Sequence, residues 1–176
     1  NASKNAIVSN CVFDKSPIYI KSSAGSPQTL KNIVFRGNVV DLTGLSVLTG
    51  ASRAILVSSD AGTKERIVVA NNVVVSDASA SGYTNIDISA GSDVLLCGNT
   101  LWGGKIGIGV YNNPSKVLVS ADNIVRNANT YGVEIRTGSG TPGIIECGAH
   151  VISDSAATLA STYYGYRLNN DATNPS

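Results

Sequence analysis

Residues 33–40 have the sequence IVFRGNVV, and the same outline returns as IVVANNVV at 67–74 and as VLLCGNTL at 94–101. Looser copies occupy residues 7–13, 117–125 and 144–152. The shared outline is a short apolar run, a small residue, an asparagine, one variable residue and another apolar residue. A unit that recurs every few tens of residues is typical of a solenoid, in which each coil buries its apolar face against the next.

The asparagine of the repeat marks a corner between two strands. Its positions are Asn10, Asn38, Asn72, Asn99 and Asn123, with Ala149 in sixth place. Asparagine tolerates the left-handed backbone region, and its amide can bond nearby backbone. Stacked corners would let each side-chain amide bond the next, as in cross-β stacks. The sequence therefore predicts an internal asparagine ladder, and the longer step from Asn38 to Asn72 indicates an inserted loop.

A second strand follows each copy. These strands are expected at residues 18–21, 54–57, 86–89, 106–110, 133–136 and 164–168. Most alternate apolar residues with polar residues or glycine, as half-buried strands do. A β-sandwich would have similar strands but no asparagine motif once per pair of strands. We predict an all-β fold, a single-stranded right-handed parallel β-helix of about six coils, forming one domain over residues 1–176. Because the sequence lacks a starting methionine, we expect it to be a fragment of a longer chain.

Composition excludes several functional classes. The net charge is +1 without a basic run, so no nucleic-acid partner is expected. No apolar run reaches 18 residues, so no membrane insertion is expected. The three cysteines, Cys11, Cys97 and Cys147, are far apart and form neither a disulfide framework nor a zinc motif. We interpret them as small buried hydrophobic residues and expect no metal and no cofactor.

These coils resemble the parallel β-helix repeats of polysaccharide-processing proteins, the group that contains pectate lyases, polygalacturonases and phage tailspikes. The resemblance extends from Ile7 to about Leu168 and rests on the repeat. The chain lacks the paired aspartates and the Gly-His-Gly motif of polygalacturonases, since its one histidine stands in Gly148-Ala149-His150. It also lacks the Arg-x-Pro-x-x-Arg run of pectate lyases. The irregular coils rich in Ser, Asn, Gly and Val are most similar to a phage tailspike or tail-fibre β-helix domain.

That resemblance implies a homotrimer on a virion tail, or otherwise outside the cell, that binds bacterial surface polysaccharide. It also implies depolymerisation by an endo-acting glycosidase or a polysaccharide lyase, although the motifs leave open whether the chain is an enzyme. Two alternatives remain. One is a non-catalytic glycan-binding adhesin, and the other is a structural segment of a trimeric spike.

Glycoside hydrolysis typically uses two carboxylates on either side of the sugar linkage. Asp87 and Glu134 are expected at outward positions of the second strand in alternate coils, with Gly107 between them as a floor free of side chains. Two coils separate their backbones by about 10 Å, close to the roughly 6.5–9.5 Å typical of inverting glycosidases. Asp87 and Glu134 are therefore the candidate catalytic pair.

Substrate binding is assigned to Trp102, Tyr111 and Arg136. An aromatic face stacks on a sugar ring, and a guanidinium bonds hydroxyls or an acidic sugar. The alternative is that the charges of Asp87, Glu134 and Arg136 are simply solvated, with Glu134 and Arg136 forming a plain surface pair.

Overall fold

In the computed structural model, the described residues (4–21, 29–45, 53–58, 62–77, 83–112, 114–136, 144–152 and 164–169) form eighteen short strands. The strands pair into three parallel six-stranded sheets, here called sheets A, B and C. Sheet A contains β1 (Lys4–Ser9), β4 (Leu30–Arg36), β7 (Lys64–Ala70), β10 (Ser92–Cys97), β13 (Lys116–Val119) and β16 (Ile144–Cys147). Sheet B contains β2 (Val12–Asp14), β5 (Val39–Asp41), β8 (Val73–Val75), β11 (Thr100–Trp102), β14 (Ile124–Arg126) and β17 (His150–Ile152). Sheet C contains β3 (Ile18–Ile20), β6 (Arg53–Val57), β9 (Thr84–Ile88), β12 (Ile106–Tyr111), β15 (Tyr131–Arg136) and β18 (Tyr164–Asn169).

Strands three apart in sequence are neighbours in space. Each strand of sheets A, B and C pairs with the equivalent strand of the preceding and following coils. The chain is therefore a solenoid of six coils, and the predicted parallel β-helix is confirmed. One expectation was wrong, because each coil has three strands and not two. The strands of sheet B are only three residues long. That is too short to show a recognisable alternation, so in the sequence they look like the end of the preceding apolar run.

The core lies inside the coils, where apolar columns from all three sheets point inward. On sheet A, Phe35, Val69, Leu96 and Val119 are each at most 1% exposed. Val40, Val74, Leu101 and Val125 on sheet B are fully buried, as are Ile55, Ile86, Ile108 and Val133 on sheet C. Complete burial of such a side chain stabilises a fold by about 1.5–3 kcal/mol. These columns hold the three sheets together.

The asparagine ladder is present at the corner between sheets A and B. Nδ2 of Asn38 donates to Oδ1 of Asn72 at 3.0 Å, Asn72 donates likewise to Asn99 at 3.0 Å, and Asn99 to Asn123 at 2.8 Å. Each of these four amides also donates to a backbone carbonyl of the preceding coil. All four asparagines are at most 1% exposed, and their amides are satisfied as buried polar groups require.

Asn10 is not part of this ladder. The backbone N–H of Cys11 donates to Oδ1 of Asn38, so Cys11 occupies the ladder position in the first coil. Asn10 instead has φ +57° and matches Gly37, Asn71 and Gly98, whose φ values are +63°, +54° and +63°. The left-handed residue is thus the one before the ladder position. The expectation that the ladder asparagine itself takes this conformation was wrong.

The cysteines differ from the expectation of burial. Cys11 is exposed, whereas Cys97 and Cys147 are half-buried, and all three are free thiols. Burial raises the pKa of the Cys97 and Cys147 thiols. In the part of the chain that the structure describes, no helix is long and apolar enough to cross a membrane.

Candidate functional site on sheet C

Register brings Asp87, Gly109 and Glu134 onto three successive rungs of sheet C. Asp87 lies between Ile86 and Ile88, which are fully buried in the core, so its side chain projects from the opposite, outer face. Strand β12 begins at Ile106, which pairs with Thr84. The rung between the two carboxylates is therefore Gly109, and the expectation that Gly107 lies there was wrong.

Asp87 is fully buried although it lies on the outer face. Its Oδ2 accepts a hydrogen bond from Nε of Arg53, and its Oδ1 accepts one from the Ser89 hydroxyl. Burial raises the pKa of the Asp87 carboxyl above its usual range, and the hydrogen bonds from Ser89 and Arg53 oppose that rise. This carboxyl therefore combines strong desolvation with one cationic partner, an environment that favours the protonated acid more than water does.

Glu134 is 1% exposed and has three partners. The Tyr111 hydroxyl donates to its Oε2 at 2.9 Å, and Nη2 of Arg136 donates to its Oε1 at 2.8 Å. Nη1 of Arg167, on the following coil, lies 3.4 Å from the same Oε1. The pairing of Glu134 with Arg136 is confirmed, but a carboxylate this deeply covered is not part of a plain, solvated surface pair.

Tyr111 covers the space between the two carboxylates. A β-carbon added to Gly109 would collide with the Tyr111 ring, so the ring lies directly over this glycine. Burial raises the Tyr111 pKa strongly, and the negative charges of Glu134 and Asp87 add to the rise. The phenol is therefore a neutral donor, and the floor expected to be free of side chains carries an aromatic ring. A sugar could reach both carboxylates only if Tyr111 moved.

Four of the five site residues predicted from sequence come together in this way. Asp87, Tyr111, Glu134 and Arg136 form one cluster, which we call the sheet C cluster and which also contains Arg53, Ser89 and Arg167. Sequence reasoning missed Arg53 because the strand was started one residue late. It missed Arg167 because the sixth coil was not placed in register, although Arg167 occupies the rung after Glu134.

Two arginines of the cluster also contact aromatic rings. The guanidinium carbon of Arg136 lies 5.8 Å from the ring centroid of Tyr111. That of Arg167 lies 4.8 Å from the ring of Tyr131, whose hydroxyl accepts a hydrogen bond from Arg167. Such cation–π contacts attract the guanidinium groups to the ring faces. The cluster is a compact, internally paired assembly of charge.

Trp102 lies apart from this cluster. It ends β11 in sheet B, next to the buried Leu101, and is 42% exposed. In the following coil Arg126 pairs with it in register, and the guanidinium carbon lies 5.3 Å from the indole centroid. Trp102 and Arg126 therefore form a second feature, an aromatic–cation pair on the outer face of sheet B in which the indole is exposed and Arg126 is half-buried.

Within the described ranges, no three His, Cys, Asp or Glu residues are grouped so that they could hold a metal ion. Comparison with protein families, curated proteins and solved structures finds no match for this chain. The sheet C cluster and the Trp102–Arg126 pair are therefore the basis for assigning a function.

Proposed function

We propose that this chain is an extracellular or virion-tail β-helix that binds bacterial surface polysaccharide without cutting it. One observation carries the proposal: the two carboxylates suited to catalysis are buried and paired, whereas Trp102, beside Arg126, is 42% exposed. A general acid or base must come within hydrogen-bonding distance of the substrate. In the sheet C cluster that position is taken by Tyr111.

The Trp102–Arg126 pair on sheet B has the chemistry of a sugar subsite. The indole face can stack on the C–H face of a pyranose ring. The neighbouring guanidinium can donate two parallel hydrogen bonds to a carboxylate or to vicinal hydroxyls. This combination favours polysaccharides that contain an acidic sugar.

Trp102 itself supplies the experiment, because it is the only tryptophan in the sequence. Titration with capsular and O-antigen polysaccharides should shift or quench its fluorescence with at least one glycan. Trp102→Tyr keeps an aromatic ring and should bind more weakly by about tenfold in calorimetry, and Trp102→Ala more weakly still. The matched control is Tyr19→Ala, which removes an exposed aromatic beside Lys21 on sheet C and should leave binding unchanged. If no glycan perturbs Trp102, the proposal fails.

Depolymerisation is the second candidate, favoured by a specific observation. Asp87 and Glu134 stand two rungs apart on one face, and the raised pKa of Asp87 suits a general acid. Release of new reducing ends, lost in both Asp87→Asn and Glu134→Gln while circular dichroism shows folded protein, would favour the enzyme over the binding protein. Binding without any release would favour the binding protein.

A further inference from the structure

Basic side chains are concentrated where sheets B and C meet in the fourth, fifth and sixth coils. On sheet B, Arg126 ends β14 and lies beside Trp102 of the fourth coil. On sheet C, Arg136 and Arg167 belong to the sheet C cluster. Lys105 lies between the two sheets, in the connection from β11 to β12, and is exposed. We call these four basic residues the basic corner.

The charge of this region differs from that of the same surface in the first three coils. The comparison covers the described residues of sheets B and C and of the connections between them. In the last three coils these residues include four basic and one acidic, at 100–112, 124–136, 150–152 and 164–169. In the first three coils they include three basic and four acidic, at 12–21, 39–45, 53–58, 73–77 and 83–89. Positive charge is therefore gathered at one end of a chain whose net charge is only +1.

The one acidic residue among the described residues of this region, Glu134, lies beneath the arginines. It is 1% exposed, whereas the side chains of Arg136 and Arg167 are 26% and 29% exposed. The part of this group that faces solvent is therefore guanidinium and not carboxylate. Glu134 orients both guanidinium groups from below, and an anion that approaches from solvent meets the arginines first.

The basic corner connects the Trp102–Arg126 pair to the sheet C cluster. The backbone carbonyl of Lys105 accepts a hydrogen bond from the N–H of Tyr131 at 3.2 Å, so Lys105 lies one coil before Tyr131. The ring centroid of Tyr131 is in turn 4.8 Å from the guanidinium carbon of Arg167. Five residues of chain lead from Arg126 to Tyr131, so their Cα atoms are at most about 18 Å apart. Aromatic rings and cations therefore follow one another from sheet B to sheet C.

We infer that the basic corner binds an acidic polysaccharide that runs around the corner, from the Trp102–Arg126 pair on sheet B to the arginines of the sheet C cluster. This inference rests on the proposed function and extends it from one subsite to a path that follows the strands. A sugar ring stacks on Trp102, and carboxylates of the polymer meet Arg126, Lys105 and then Arg136 with Arg167. Guanidinium groups bind carboxylates through charge-assisted, often paired, hydrogen bonds.

The spacing of the charges favours a glycan over a nucleic acid. The four cations lie along a path that follows the chain from Arg126 to Arg136, which is ten residues and therefore at most about 36 Å. Double-stranded DNA carries one charge per about 1.7 Å of its axis, and its affinity for proteins comes from many phosphate contacts. A polysaccharide with one carboxylate in every few sugars matches such a sparse row of cations.

Titration of Trp102 fluorescence with acidic capsular polysaccharides, each also in carboxyl-reduced form, tests the path. The carboxyl-reduced forms should bind about tenfold more weakly than the acidic forms, and Arg167→Gln should weaken the acidic forms by a similar factor. Lys105→Gln, at an exposed position that folding tolerates readily, should weaken the acidic forms about fivefold and leave the carboxyl-reduced forms unchanged. The matched control is Lys116→Gln, which removes the same charge from sheet A in the fifth coil, where the side chain is 60% exposed; it should leave binding unchanged.

The outcomes separate this inference from the proposed function. Unchanged binding in both Lys105→Gln and Arg167→Gln, with Trp102 still responding, would overturn the path around the corner and leave the Trp102–Arg126 subsite standing. Equal binding of the acidic and carboxyl-reduced forms would overturn it as well. Tighter binding of oligothymidylate than of every acidic polysaccharide would replace it with a nucleic-acid surface. If no polysaccharide perturbs Trp102, the proposed function and this inference fail together.

Discussion

The side-chain amide of Asn71 occupies the space in which a β-carbon on Gly98 would lie. Asn10 stands in the same relation to Gly37, two coils earlier. Both glycines have φ +63°, a backbone region that other residues adopt only under strain. A second column therefore runs beside the buried ladder, in which Asn10, Gly37, Asn71 and Gly98 alternate large and absent side chains.

Gly98→Ala should destabilise the protein for two reasons. The new methyl group meets the Asn71 amide, and alanine at positive φ adds backbone strain. We expect a loss of about 2–3 kcal/mol in the free energy of unfolding, measured by urea denaturation.

Gly44 provides the matched control, because it has φ +70° and open space where its β-carbon would be. Gly44→Ala should cost only about 1 kcal/mol, from strain alone. Adding Asn71→Gly to Gly98→Ala should recover the difference between the two. Equal losses for both single variants would show that the amide contact contributes nothing.

Removing a ladder amide should be more damaging than removing an exposed asparagine. The Asn99 side chain accepts hydrogen bonds from the backbone and side-chain nitrogens of Asn72 and donates to Val69 and Asn123. Asn99→Ala leaves these buried partners unsatisfied, so we expect a loss of about 2–4 kcal/mol. Asn10→Gly, at the exposed left-handed position, should stay within about 0.5 kcal/mol of wild type. A comparable loss at Asn10 would contradict its placement outside the ladder.

Glu134→Gln should destabilise the sheet C cluster. The change removes the anion shared by Arg136 and Arg167, which leaves two guanidinium groups facing a neutral amide. Breaking a buried pair costs about 3–5 kcal/mol. Since the two arginine side chains are 26% and 29% exposed, solvent screening reduces this to about 2–3 kcal/mol. Thermal or urea unfolding measures the effect.

Glu65→Gln is the comparison for that variant, because Glu65 forms an ion pair with Lys31 in which both side chains are 29% exposed. Its loss should stay below about 1 kcal/mol. Equal losses in the free energy of unfolding for the two variants would show that the sheet C cluster behaves as a solvent-exposed ion pair.

The ionisation of Asp87 should appear as a pH-dependent stability difference. Its pKa is raised in the folded protein by burial, so the folded state binds this proton more tightly than the unfolded chain, whose aspartates titrate near about 3.9. The contribution is fully present below that value and is lost as pH rises through the folded pKa. The free energy of unfolding of wild type minus that of Asp87→Asn should therefore fall with rising pH and then level off. A difference that grows with pH would mean that Arg53 outweighs burial.

The ladder could be predicted from sequence because Asn38, Asn72, Asn99 and Asn123 repeat one residue in one role. The first coil could not be placed in the same way. Asparagine also suits the left-handed position that precedes the ladder position. Asn10 was therefore assigned to the ladder although it lies one residue before it. The hydrogen bond from the Cys11 backbone to Asn38 and the positive φ of Asn10 distinguish the two positions.

The sequence predicted most of the residues of the candidate site, but not their burial or their pairing. Alternation along β9, β12 and β15 places Asp87, Tyr111 and Glu134 on one face, and sequence shows that periodicity. Their burial depends on the position of the Tyr111 ring over Gly109 and on Arg167 from the next coil. Neither can be read from the alternation of apolar and polar residues. Trp102 lies apart from these residues because Gly103 and Gly104, with φ +72° and +76°, turn the chain from sheet B into sheet C directly after it.

Successive ladder asparagines are separated by 34, 27 and 24 residues of chain, yet their amide contacts remain 3.0, 3.0 and 2.8 Å. The rise from coil to coil is thus independent of how much chain each coil contains. Residues can be gained or lost in the connections without shifting any strand above them. A lineage can therefore vary the length of these connections while the ladder keeps the second to fifth coils at a constant spacing.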